Sequence, residues 1–170
     1  MRRIIAILML SASCIAPAAA HITLEQKTAA VGAPYKAVFR VPHGCDESPT
    51  VRLRVQIPEG VISVKPMVKP GWEIATVRGP YEKAHAYFHG ATFSEGVKEA
   101  TWSGGKLPNA FYDEFVLSVF IAADLPHGRT LYFPVVQECE KGARHWIEVP
   151  RADRPKVEDP APGVTLIPKN

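Results

Sequence analysis

The stretch TVRLRVQI, residues 50–57, alternates polar and apolar side chains without interruption. In an extended chain its four apolar residues point to one face, and its arginines and glutamine point to the other. This is the pattern of a half-buried β-strand. Pro58-Glu59-Gly60 follows directly and predicts a turn. The stretch therefore predicts a sheet that packs one face on a core and exposes the other.

Short segments of the same kind lie on both sides of this strand, separated by many of the sixteen prolines and twelve glycines. The further predicted strands are Tyr35–Val41, Val61–Val64, Trp72–Arg78, Ala84–Phe88, Glu99–Ser103, Phe115–Ala122, Arg129–Glu138, Ala143–Val149 and Thr165–Ile167. Phe115–Ala122 is the most apolar of them and is expected to be central. Residues 150–163, rich in proline and charge, predict an extended edge. Because no segment has a sustained 3.6-residue period, the chain predicts an all-β sandwich.

The first twenty residues have the composition of a secretory signal peptide. Arg2 and Arg3 precede an apolar run over residues 4–10, and small residues lead to an exit at Ala18-Ala19-Ala20. The run is too short for a membrane span, which needs about 20 apolar residues. We therefore expect residues 1–20 to be removed and residues 21–170 to form a single exported domain.

Cleavage after Ala20 would make His21 the first residue of the working protein. Its α-amine and its imidazole Nδ1 would then be placed to close a chelate ring on one metal ion. An α-amine has a pKa of about 7.7–8.0, so a metal can displace its proton near neutral pH, and planar nitrogen ligands suit Cu(II). Two alternatives stay open. A histidine can follow a cleavage site by accident, and Cys14 could be a lipid-attachment site, which would leave His21 without a free amine.

Charge and cysteine content restrict the classes of function. The formal net charge of +3 falls to about +1 without Arg2 and Arg3, which excludes the strongly basic face that nucleic acid requires. Two cysteines, Cys45 and Cys139, survive processing, and an oxidising compartment favours a disulfide between them over two separate buried thiols. Only one methionine, Met67, survives, which excludes a methionine-rich Cu(I) site.

Enzyme signatures are mostly absent: the sequence has no Gly-x-Ser-x-Gly, no phosphate-binding glycine loop and no His-Glu-x-x-His. Two cysteines are too few for a zinc site of four thiolates. His43 and His127 each lie in a Pro-His-Gly turn and are expected to be structural. His85 and His89 are expected to be surface histidines.

Asp113 and Glu114 precede the most apolar strand. Strand alternation points adjacent side chains to opposite faces, so one of the two carboxylates could face a site at the end of the sheet. A solvated strand end is the alternative. Trp146 lies near the start of a late predicted strand, where a tryptophan is usually part of the core but could also border a site and exclude water.

Taken together, these motifs resemble the YcnI-like family of bacterial copper-binding domains over essentially the whole mature chain. The matching features are His21 after the signal, Val41-Pro42-His43-Gly44-Cys45, Ile57-Pro58-Glu59-Gly60-Val61, Lys65-Pro66, Pro70-Gly71-Trp72, Asp113-Glu114-Phe115, Cys139-Glu140-Lys141-Gly142, Trp146 and Pro160-Ala161-Pro162. The Pro-His-Gly-Cys and Pro-Gly-Trp blocks are the most specific of these.

The resemblance implies an immunoglobulin-like or cupredoxin-like β-sandwich that binds Cu(II) in a mono-histidine brace. By position, the amine and ring of His21 would be ligands, Glu114 would supply a carboxylate, with Asp113 as the alternative, and Trp146 would lie nearby. The chain has no carboxy-terminal membrane anchor, which predicts a protein released into the periplasm or outside the cell.

The sequence therefore predicts a binding protein, not an enzyme, that acts in copper handling as a chaperone, store or sensor. Its expected partners are the copper ion and another copper-transport protein, and neither nucleic acid nor a membrane. Two alternatives remain. One is a copper-dependent oxygenase, for which an axial tyrosine, Tyr35 or Tyr112, would help. A second histidine would have to complete the brace, and the candidates are His43, His85, His89, His127 and His145. The other is a metal-free sandwich that binds a protein partner.

Overall fold

A computed structural model describes residues 21–169, so the predicted signal segment 1–20, with Cys14, lies outside the described residues. The strands are β1 (Thr23–Leu24), β2 (Thr28–Ala30), β3 (Ala33–Val41), β4 (Thr50–Gln56), β5 (Val61–Pro66), β6 (Glu73–Ala86), β7 (Thr92–Leu107), β8 (Asp113–Ile121), β9 (Thr130–Tyr132), β10 (Val135–Cys139), β11 (Ala143–Trp146) and β12 (Gly163–Ile167). A single 3-10 turn, Phe88–Gly90, is the one helical element of residues 21–169. None of the described helical structure is long and apolar enough to cross a membrane.

The strands form an immunoglobulin-like β-sandwich, as the sequence predicts. One sheet has the order β1-β3-β8-β5, and the other has the order β11-β10-β4-β7-β6. A small third sheet, β2-β12-β9, joins chain segments from both ends of the described region. The two large sheets meet at fully buried aromatic rings: Trp102 of β7 packs edge to face on Phe115 of β8, with 5.5 Å between the ring centroids. Burying this apolar surface is the main driving force for the fold.

The alternating stretch that predicts a strand is β4, with Leu53 and Val55 fully buried on its inner face. β8 lies inside its sheet between β3 and β5, which confirms the prediction that the most apolar strand is central. Residues 150–162 contain no strand, and Pro160 makes an isolated parallel bridge with Glu148, so the predicted extended edge does not form a strand. The strand that follows, β12, lies between β2 and β9 and is not an edge.

The sequence predicts three short strands between residues 72 and 103, and the predicted lengths are wrong. These strands are parts of one long hairpin, β6 and β7, of 14 and 16 residues. The pairing shifts register between Val77 and Arg78 and again between Pro80 and His85. Bulges of this kind let a strand bend and continue, so Gly79-Pro80 marks a bend within β6 and not its end.

The outer part of this hairpin, residues 79–96, is referred to below as the arm. It covers the outer face of β8, where the rings of Tyr87 and Phe88 lie 4.9 Å and 4.7 Å from the ring of Phe120. Phe120 forms a second small core outside the sandwich with Ile62, Tyr81 and Ala122, and Tyr87 packs against it. The arm therefore buries the outer face of β8 at Phe120.

His85 fastens the arm to the body of the sandwich, and its side chain is fully buried. Its Nδ1 lies 3.0 Å from Asp124 Oδ1, and its Nε2 lies 2.8 Å from Glu59 Oε1. Lys83 and Lys98 balance the outer oxygens of these carboxylates at 2.6 Å and 3.1 Å. The prediction of a surface histidine is therefore wrong for His85, because two acidic side chains from other loops satisfy its ring inside the protein.

Candidate metal centre

His21 lies two residues before the start of β1, and its side chain is partly buried. Its imidazole meets the indole of Trp146, the last residue of β11, edge to face. The ring centroids are 5.4 Å apart, and the ring planes are inclined by 84°. The structure thus brings together two of the predicted site residues that lie far apart in the sequence.

A backbone carbonyl defines the protonation of the His21 ring. His21 Nε2 lies 3.0 Å from the carbonyl oxygen of Glu158. Because a carbonyl oxygen only accepts hydrogen bonds, Nε2 must carry the hydrogen and donate it. In the neutral imidazole the lone pair is then on Nδ1. Nδ1 is bonded to Cγ and is therefore the ring nitrogen nearer the backbone, so this tautomer is the one that a chelate with the amine requires.

Trp146 is held in place by a buried glutamine. Its Nε1 donates to Gln137 Oε1 at 3.0 Å. The amide nitrogen of Gln137 donates to the carbonyl oxygen of His43 and to Thr50 Oγ1, both at 2.7 Å. Gln137 is 1% exposed, and Trp146 is 5% exposed. Because a buried amide that makes all these bonds cannot turn without losing them, the indole is fixed beside His21.

The disulfide that the sequence predicts is present between Cys45 and Cys139, with Cα atoms 6.0 Å apart. It joins the Pro-His-Gly-Cys loop to the end of β10, the strand that carries Gln137. The hydroxyl of Thr50 lies 3.8 Å from Cys139 Sγ. The cross-link therefore braces the same polar network that orients Trp146.

Glu114, the first choice for a carboxylate ligand, lies on the outer face of β8 and binds Arg40. Arg40 Nε donates to Glu114 Oε1 at 3.2 Å, while Nη2 donates to Glu25 Oε1 at 2.8 Å. The strand register aligns Thr23 with Arg40 and Arg40 with Glu114. Glu114 is thus separated from the strand of His21 by β3, and the Arg40 guanidinium is its neighbour.

Asp113, the alternative carboxylate, belongs to the opposite side of β8. Its Oδ1 accepts a hydrogen bond from Lys69 Nζ at 2.6 Å and one from the backbone N–H of Glu114 at 2.8 Å. The adjacent carboxylates therefore point apart, as strand alternation predicts. The contacts of Asp113 tie it to the loop between β5 and β6.

A cleft of about 370 Å³ opens beside the histidine, and its lining consists of His21, Thr23, Arg40, Pro42 and Tyr112. Tyr112 is 68% exposed, so the cleft is open to solvent. Tyr35, the other tyrosine considered as an axial ligand, donates its hydroxyl to the carbonyl of Gln26. Burial, and secondarily the charge of Glu25, raises the pKa of Tyr35 to about 12. Of the two tyrosines, only Tyr112 lines this cleft.

The remaining histidines are placed elsewhere. His43 donates from Nδ1 to the carbonyl of Gly44 at 2.6 Å, which agrees with a structural role in its turn. His89, His127 and His145 are exposed. Within residues 21–169, no three His, Cys, Asp or Glu side chains are grouped so that they could hold a metal ion.

The fold and the site define an immunoglobulin-like β-sandwich with a histidine–tryptophan pair at its first strand. The family model described as a domain of unknown function, DUF1775, matches residues 21–166, and the chain belongs to that family, which is the family of the YcnI-like proteins. Among solved structures, the chain is similar to an uncharacterized protein from Nocardia farcinica with an immunoglobulin-like fold. The two are 30% identical with a TM-score of 0.64, over 86% of this chain and 97% of the other. A comparison with curated proteins returned no match.

Two residues that the sequence analysis did not single out support this site. Gln137 shares one face of β10 with Val135 and Cys139, and all three residues are buried. A polar side chain on an apolar strand face indicates a buried polar network. Glu158 takes part through its backbone carbonyl, which every residue possesses. No sequence pattern could have identified it.

Proposed function

We propose that this protein is an exported Cu(II)-binding protein that acts in copper handling, with the metal held by a mono-histidine brace at His21 of the processed chain. The observation that carries the proposal is the hydrogen bond from His21 Nε2 to the carbonyl of Glu158. It leaves the lone pair on Nδ1, the ring nitrogen that can close a chelate ring with a free α-amine. These two nitrogens are the donor atoms that a planar Cu(II) site prefers.

The surroundings of His21 suit a bound metal. Metal-binding histidines commonly donate their second ring nitrogen to a carboxylate or a backbone carbonyl, which fixes the ring. Trp146 shields one side of the imidazole, whereas the cleft with Tyr112 leaves the other side open. A site that is fixed on one side and open on the other allows copper to be passed to a partner protein, as delivery, storage or sensing would require.

A third ligand from a carboxylate would come from Glu114 in this proposal, with Asp113 as the alternative. Glu114 is the better candidate because its Oε1 is shared with the partly exposed Arg40, whereas Asp113 is held by the largely buried Lys69. Taking up copper would require Glu114 to exchange Arg40 for the metal. Glu114→Gln should therefore weaken Cu(II) binding by less than loss of the amine does, and Asp113→Asn should leave it unchanged.

Binding is favoured over oxygenase chemistry, because a copper oxygenase of the polysaccharide-cutting kind adds a second histidine to the brace. His21 is the one histidine among the residues that line the cleft. Turnover of a polysaccharide with a reductant would contradict this part of the proposal.

The test is a calorimetric Cu(II) titration of protein that begins at His21 and of protein with one glycine added before it. The glycine keeps the imidazole but moves the amine out of chelate reach. Linked ligands commonly exceed separate ones by about 10²–10⁴ in affinity, so we expect a loss of roughly a hundredfold or more. His89→Gln, an exposed histidine, is the matched control and should bind as the native protein does. Equal affinity of the extended and native chains would show that the amine is not a ligand.

A further inference from the structure

The segment that supplies the Glu158 carbonyl is itself fastened by Glu148, two residues after Trp146. Glu148 pairs with this segment through its backbone: its N–H donates to the carbonyl of Asp159 at 3.0 Å, and its carbonyl accepts from Ala161 N at 2.8 Å. Residues 157–161, here called the strap, therefore run parallel to the chain at Glu148, just after β11, and pass beside His21.

The Glu148 carboxylate adds side-chain bonds to the same segment. Its Oε2 accepts from the backbone N–H of Glu158 at 2.8 Å and from that of Asp159 at 2.9 Å. Its Oε1 accepts from Arg154 Nη2 at 2.9 Å. One oxygen of Glu148 thus holds two consecutive N–H groups of the strap, and the other oxygen is held by an arginine.

The peptide unit between Glu158 and Asp159 connects these contacts to the histidine. Its N–H, which belongs to Asp159, donates to Glu148, and its C=O, which belongs to Glu158, accepts from His21 Nε2. A peptide unit is planar and rigid, so fixing its N–H fixes the direction of its carbonyl. Hydrogen bonds in such a chain also polarise one another, so a carboxylate on the N–H strengthens the carbonyl as an acceptor.

We propose that Glu148 is a positioning residue that selects the Nε2–H tautomer of His21 through the Glu158–Asp159 peptide and so keeps Nδ1 available for a ligand. The expected effect of Glu148 on copper binding rests on the proposed function. Its expected effect on the tautomer of His21 does not. The arrangement corresponds to a carboxylate–histidine–metal relay with one peptide unit inserted. Losing outer-shell partners of metal-binding histidines typically lowers metal affinity by about 10–100-fold.

The test uses the metal-free chain that begins at His21, with Glu148→Ala, Glu148→Gln and Arg154→Ala. Nitrogen-15 NMR at mildly alkaline pH reports which ring nitrogen of His21 carries the hydrogen. We expect Glu148→Ala to shift His21 measurably toward the Nδ1–H form. Glu148→Gln should keep the native tautomer, because its amide oxygen can accept both strap N–H groups. Arg154→Ala should also keep it, because Arg154 contacts only the other oxygen of Glu148.

Cu(II) titration of the same samples gives the second measurement, with an expected loss of about 10–100-fold for Glu148→Ala alone. If Glu148→Ala does not fold, Glu148→Asp, whose shorter side chain cannot reach both N–H groups, is expected to shift the tautomer in the same direction. An unchanged tautomer in the folded Ala or Asp variant overturns the proposal. If the native chain binds no Cu(II), the proposed function fails, while the tautomer measurement still decides the role of Glu148.

Discussion

Replacing His85 with glutamine should destabilise the protein by about 1.5–3 kcal/mol near pH 6, because it weakens the attachment of the arm. The native ring makes two bonds to carboxylates from other parts of the chain, Asp124 at 3.0 Å and Glu59 at 2.8 Å. Hydrogen bonds to charged groups contribute about 1.5–3 kcal/mol each. The lower end applies here because Glu59 and Asp124 are 24% and 34% exposed and each keeps a lysine partner. Glutamine can also still donate to one of the carboxylates.

The effect should depend on pH in a defined direction. Burial lowers the pKa of His85, but the hydrogen bonds and charges of Asp124 and Glu59 outweigh it, so the pKa lies above its ordinary value of 6.5. Stability from this group is therefore fully present below about pH 6.5 and is lost as the pH rises through the folded-state pKa. The slope can reach about −1.4 kcal/mol per pH unit. Above the folded-state pKa the neutral ring donates to only one of the carboxylates. The free energies of unfolding of the native protein and the variant should therefore converge.

The two carboxylates that face His85 make the free energy of unfolding fall again at low pH. Burial raises the pKa of Glu59, but its bonds to His85 and Lys98 outweigh this, so the pKa lies below the ordinary value of 4.5. Burial also raises the pKa of Asp124, but its hydrogen bonds to Lys83 and His85 outweigh this, so the pKa lies below the ordinary value of 3.8. The stability that Glu59 and Asp124 contribute is present above these ordinary pKa values, and it is lost as the pH falls through the folded-state pKa values. Tyr81, edge-on to His85 with 5.5 Å between ring centroids, stays neutral in this range because burial raises its pKa.

Urea unfolding between pH 5.5 and 9 measures this effect without the ionic screening that guanidinium adds. His89→Gln, on the same hairpin but exposed, is the matched control and should follow the native pH profile. The reasoning would be refuted by a His85→Gln variant whose stability falls with pH as steeply as that of the native protein.

Three further predictions concern the disulfide, the arm and the indole. Replacing both Cys45 and Cys139 with alanine should cost about 4–5 kcal/mol in urea unfolding, the chain-entropy value for a loop of 94 residues; a loss below about 1 kcal/mol would contradict it. Gly96→Ala should cost about 1–3 kcal/mol, because a Cβ there would overlap the hydroxyl of Tyr81, and an unchanged urea midpoint would exclude that overlap. Trp146→Phe should keep the Cu(II) stoichiometry but reduce the fluorescence quenching that copper causes, and quenching equal to the native value would mean that the indole is not near the metal.

Local patterns predicted those parts of the fold that local chemistry determines. The alternation in residues 50–57 identifies β4, and the apolar run after Glu114 identifies β8, because each pattern lies within one strand. The length of β6 could not be predicted in this way. Gly79-Pro80 has the composition of a turn, and only pairing with β7 through two register shifts shows that the strand continues.

The site was predictable to the extent that its groups are side chains with distinctive chemistry. His21 and Trp146 could be identified from position and family resemblance, and the structure brings them into contact. The sequence predicts a surface position for His85, because its partners, Glu59 and Asp124, lie 26 and 39 residues away and no local pattern reveals them. The carbonyl of Glu158 leaves no mark on the sequence, because any residue could provide it.

The central claim is that the processed amino terminus is the copper site. The most direct measurement is native mass spectrometry of protein exported with its own leader and mixed with one equivalent of Cu(II). The account predicts one species whose mass corresponds to residues 21–170 with the Cys45–Cys139 disulfide and one copper ion. A mature chain that begins at another residue, or a chain that begins at His21 and remains metal-free, would contradict it.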